Sequence, residues 1–99
     1  MFKDRFQHDD LENLMEELVF EQIAILVDEG EEKIPLNDIG IQDIAALALN
    51  HLPAKYCCSI IDKRLPRPEL LAELTNYKPL VRDKVLAAID QVNSFPHHN

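Results

Sequence analysis

The chain has 99 residues, too few for more than one domain of the usual ~100 to 200, and its 46% hydrophobic and 28% charged content excludes a disordered or collagen-like chain. Eighteen acids against ten bases give a formal charge of -8 and a pI near 4.8, so the mean field repels nucleic acid and anionic membranes. A domain this small buries only about 60 to 70% of its unfolded surface, which makes a second subunit an expected cover for leftover apolar area.

The charge is unevenly spread. Residues 1–54 hold thirteen acids and three bases, whereas residues 55–84 hold four acids and seven bases. A locally positive stretch in an acidic protein suits a compact anionic ligand or an acidic partner; a solvated helix face is the plainer alternative.

The opening Met1-Phe2-Lys3-Asp4-Arg5-Phe6-Gln7-His8 lacks the apolar core of a signal peptide, and no later run approaches the ~18 apolar residues of a membrane span. A cytoplasmic protein is expected, with residues 1–8 and 95–99 as flexible ends. Asp9 and Glu12 are spaced as a capping box, and Leu11, Leu14, Met15, Leu18, Val19, Ile25 and Leu26 recur mostly at helical spacing, predicting a first helix from about Asp10 to Glu29. After the turn at Gly30 and the connector Ile34-Pro35-Leu36-Asn37, a second helix is predicted to begin near Asp38 to Ile41. Ile41, Ile44, Ala45, Ala48 and Leu52 form its inner stripe, and Ala46, Leu47 and Leu49 make its outer face apolar too. A helix apolar nearly all round is expected to lie centrally and at a dimer interface. Pro53 is the expected stop.

The tract from Ala54 to Ile61 is rich in aromatic and β-branched residues and predicts an extended segment. A basic, proline-stiffened loop follows, Asp62-Lys63-Arg64-Leu65-Pro66-Arg67-Pro68, and Pro68 suits the first turn of a short helix to about Asn76. Tyr77-Lys78-Pro79 then predicts a break before a last helix, Leu80 to Ser94, with Val81, Val85, Ala88, Ile89 and Val92 inward.

Catalytic chemistry finds little material. A thiol and base pair from Cys57 or Cys58 with His51 is conceivable, but burial of small thiols is the simpler reading. The two cysteines are adjacent, so they neither staple distant segments nor make a good bidentate zinc pair; no metal or cofactor is expected. No glycine-rich phosphate loop is present. What remains is Lys55, Tyr56, Lys63, Arg64 and Arg67, where cations can hold phosphate oxygens and a ring can stack a base.

Asp43-Ile44-Ala45-Ala46-Leu47-Ala48-Leu49-Asn50-His51-Leu52-Pro53-Ala54-Lys55-Tyr56 resembles the recurrent D-I-x-A-x-A-L-N-x-L-P-P-x-Y signature of the late competence development protein family ComFB. Asn13, Met15, Glu16 and Val19 resemble that family's opening N-x-M-E-x-x-V, so the likeness spans roughly residues 10 to 60. It implies a small, mainly α-helical, dimeric bacterial protein without enzymatic activity, associated with competence for DNA uptake, whose cyanobacterial relatives are receptors for cyclic dinucleotides. Ala54 stands where the signature has a second proline, and residues 30–42 hold none of the cysteines that suit zinc in some relatives.

The expectation is therefore one domain over residues 1–99, mainly α, with about four helices and a short extended segment after the second, forming a homodimer. It would bind cyclic di-GMP or cyclic di-AMP without catalysis and act on a protein partner, with no direct contact to nucleic acid or membrane; the alternative is an interaction adaptor with no small-molecule ligand. Lys55 and Arg64 are the expected phosphate contacts, followed by Arg67 and Lys63. Tyr56 could stack a base or sit in the core, Asp43 could read a guanine edge or complement a helix terminus, and Asn50 could meet ligand or satisfy helix-end carbonyls.

Overall fold

The computed structural model describes Arg5, residues 11–57 and residues 68–94. Its elements run β1 (Glu12–Asn13), α1 (Leu14–Asp28), α2 (Asp38–Leu49), β2 (Tyr56–Cys57) and α3 (Pro68–Asn93). The strands are a minimal antiparallel pair, with Glu12 opposite Cys57 and Asn13 opposite Tyr56. Among the described residues the protein is thus mainly helical, and no helix is long and apolar enough to cross a membrane.

Helix α1 starts later than its apolar periodicity suggests. Glu12 belongs to β1, so the expected capping box does not form with it, and Asp9 lies outside the described residues. Asn13 caps the helix instead, its side chain accepting from the Met15 amide at 3.1 Å. At the other end Gly30 adopts φ +87°, a left-handed geometry that glycine tolerates best. The Gly30 amide bonds to the Val27 carbonyl and the Glu31 amide to the Leu26 carbonyl, satisfying the last turn's orphan acceptors.

Asn37 caps α2 through the Gly40 amide at 2.8 Å. Gly40 is also where Pro35 presses closest, since a Cβ there would sit 2.5 Å from the ring's Cγ. The helix ends at Leu49, before the expected Leu52, because the amides of Asn50, His51 and Leu52 close a tightening turn on Ala46, Ala48 and Leu49. Pro53 continues that exit without being its first cause.

Met15, Val19, Ile44, Val81 and Val85 are wholly buried and define the core where the three helices meet, with Ile34 plugging it from the α1–α2 connector. Small Ala45 and Ala48 are buried on α2, and α2 and α3 form the most extensive helix contact. Leu47 and Leu49 on the expected outer face of α2 are partly covered by this core; Ala46 and Ile39 stay exposed.

The expectation of two helices after the basic loop is corrected. Among the described residues there are three helices, because Pro68–Asn93 is continuous across Pro79. Pro79 cannot donate to the Thr75 carbonyl, yet both residues are exposed, so water can take that acceptor. On the opposite side Tyr77 packs against the core and Lys78 pairs with Glu21 of α1 at 3.3 Å, which carries the helix through its weak point.

Candidate functional site

The residues expected to bind ligand lie where α2 hands over to β2. Asn13 organises this place. Its side-chain oxygen accepts from the Lys55 amide at 2.8 Å while also capping α1, and the Leu14 amide donates to the Lys55 carbonyl at 2.6 Å. Lys55 is therefore gripped at both backbone polar groups, although 42 residues separate it from Asn13. The strand register then sets Tyr56 opposite Asn13, and the residue is 65% exposed.

The Lys55 side chain runs to α3. Its Nζ lies 2.5 Å from Glu73 Oε1 and 5.4 Å from the centre of the Tyr77 ring. Glu73 and Tyr77 stand one turn apart on the same helical face, so carboxylate and ring flank one ammonium. The hydrogen bond to Glu73 raises the Lys55 pKa above its ordinary value; desolvation opposes it, and the charge of Glu73 and the Tyr77 hydroxyl add to the rise. Both partners keep solvent contact, 28% for Lys55 and 45% for Glu73, so the pair is open to exchange.

Of the other expected residues, Asn50 is exposed just beyond α2, with its backbone amide bonded to the Ala46 carbonyl. Asp43 is half-buried two turns earlier on the same helix, on the same side as Asn50 by helical geometry. Lys63, Arg64 and Arg67 lie outside the described residues. Cys57 is half-buried on β2, and among the described residues no group of three or more metal-ligating side chains converges.

Glu73 and Tyr77 are site residues that sequence reasoning did not single out, and Asn13 was named only as part of the family motif, without a role at the site. Asn13 carried a signal, being a residue type that caps helices placed just before an apolar run. Glu73 and Tyr77 carried none, because their joint approach to Lys55 depends on α3 continuing past the expected break.

Among the described residues, clefts also lie away from Lys55. One of about 440 Å³ at the α1–α2 turn is lined by Glu29, Glu31, Glu32, Lys33 and Arg82 over Leu26 and Leu86. Glu29 holds Arg82 there at 2.6 and 3.4 Å, which leaves an acidic rim that is poorly suited to an anion. A smaller cleft of about 160 Å³ between α2 and α3 contains His51 and Lys84.

Comparison with protein families matches residues 12–96 to late competence development protein ComFB. No curated protein and no solved structure gives a significant match.

Proposed function

The chain belongs to the late competence development protein ComFB family, and from that premise we propose that it is a non-enzymatic receptor for a cyclic dinucleotide, acting as a homodimer. The observation that carries this reading is the double backbone grip on Lys55, which fixes this cation immediately before β2 and its exposed Tyr56. One group suits a phosphate and the other suits a base. The cations Lys63, Arg64 and Arg67 follow within twelve residues of sequence, enough positive charge to answer a ligand with two phosphates.

Calorimetry with cyclic di-GMP and cyclic di-AMP tests the reading. Saturable binding of one of them is expected, weakened at least tenfold in Lys55→Ala and in Arg64→Ala. Loss of stacking in Tyr56→Ala should weaken it by about 5- to 100-fold. Absence of binding by either nucleotide would end the proposal. Sedimentation of the same samples should report dimers at micromolar concentration, with Ile39→Asp, a change on the exposed part of α2, shifting them toward single chains.

A second reading, an interaction adaptor without a small ligand, is favoured by Leu36 and Ile39, which are 75% and 68% exposed on either side of acidic Asp38. An amphipathic basic segment would complement them. Capture of such a partner in the absence of nucleotide, and its loss in Leu36→Ser, would support the adaptor over the receptor.

A further inference from the structure

The first eleven residues of α3 are held differently from the remainder. Between Pro68 and Lys78 no residue is fully buried, whereas Val81, Val85, Ala88, Ile89 and Val92 beyond Pro79 are all in the core. This arm leans on the body through partly buried Leu74 and Tyr77, through Lys78 paired to Glu21, and through Glu73 paired to Lys55. At its base the helix ladder lacks one hydrogen bond, because Pro79 has no amide proton.

We propose that Glu73 sets the anion affinity of the Lys55 site: it is an internal carboxylate that occupies the ammonium until a ligand phosphate displaces it, and its departure frees the Pro68–Lys78 arm to move about Pro79. The proposal rests on the receptor reading, since it requires an anion to reach Lys55.

Three observations support it. Glu73 Oε1 occupies one of the three donors of the Lys55 ammonium at 2.5 Å and neutralises the charge that a phosphate would seek. Exposed ion pairs of this kind are weak, so competition from Glu73 should lower ligand affinity by only about two- to fivefold and can be reversed by a dianionic ligand. The Lys55 backbone is clamped by Asn13 and Leu14, so a change of partner at Nζ cannot be absorbed by moving the strand. The displacement is therefore felt on the α3 side, which has the interrupted ladder and the shallow burial. The same event exposes more of the Tyr77 ring, a face for the next protein in a signalling chain.

The experiment compares wild type, Glu73→Gln and Glu69→Gln, titrating each with cyclic di-GMP and cyclic di-AMP and following amide hydrogen exchange along α3. Glu69→Gln removes the same charge one turn away from an exposed position, and so measures the general electrostatic effect. Glu73→Gln should bind about two- to fivefold tighter than Glu69→Gln. Amides of residues 70–78 should exchange faster in ligand-free Glu73→Gln and in saturated wild type, while residues 81–93 stay protected. Equal affinities in the two variants, or unchanged exchange of residues 70–78 on saturation, overturn the role of Glu73 and leave the receptor reading intact. Failure of all three proteins to bind either nucleotide overturns both.

Discussion

The two halves of α3 are one helix by hydrogen bonding and two by energetics. From Val81 to Val92 the helix holds its place through five buried apolar side chains, and from Pro68 to Lys78 it depends on exposed ion pairs and a half-covered tyrosine. Burial of a single valine or isoleucine side chain contributes roughly 1.5 to 3 kcal/mol, against about 0 to 1 for an exposed ion pair. Continuous secondary structure therefore does not imply uniform stability, and the Pro79 position marks where one regime gives way to the other.

The largest test of this contrast is a pair of truncations. Ile89→Ala removes a wholly buried side chain and should cost about 2 to 5 kcal/mol in urea-unfolding measurements, while Leu71→Ala, at a position 49% exposed, should stay within about 0.5 kcal/mol of wild type. Comparable losses from both would abolish the contrast. Pro79→Ala should sharpen it in reverse: a restored amide can bond the Thr75 carbonyl, and a gain of roughly 2 kcal/mol is expected once the stiffer unfolded chain of the proline form is allowed for. Slower exchange of amides 70–78 should accompany that gain.

Asn13→Ala should cost about 1 to 2 kcal/mol, since it removes an N-cap acceptor and leaves the Lys55 amide without its partner. Asn13→Asp should recover most of this, because a carboxylate oxygen accepts both bonds and also suits a helix N-terminus. The smallest effect concerns pH. Lys55 has its pKa raised by Glu73, so its pairing adds stability that is fully present below about 10.5 and disappears as pH rises through the higher folded-state value. The difference in melting temperature between wild type and Lys55→Gln should be constant from neutral pH to about 10 and should shrink above that.

Much of the fold was legible from periodicity. Val81, Val85, Ala88, Ile89 and Val92 are buried as their spacing demands, and Ile44, Ala45 and Ala48 face inward on α2 as expected. The break expected at Pro79 was misread because a proline's lost hydrogen bond is a local cost, whereas Tyr77 and Lys78 are held by residues of α1 and the core far away in sequence. The family likeness reached Asn13 through its motif, yet its bond to Lys55 spans 42 positions and leaves no local trace. Lys55 and Tyr56 were found as candidates by residue type. That Lys55 already has a carboxylate partner required knowing that the first half of α3 comes within reach of Lys55.

The shared oxygen of Asn13 also has a consequence for the order of events during synthesis. Helix α1 is synthesised before Lys55 has been added, so at that stage its cap can serve only the Met15 amide. The clasp is completed when the growing chain has laid down α2 and turned back, which ties the finishing of the first helix to arrival of the signature segment. A nascent chain stalled before residue 55 would thus have an α1 cap with one bond instead of two.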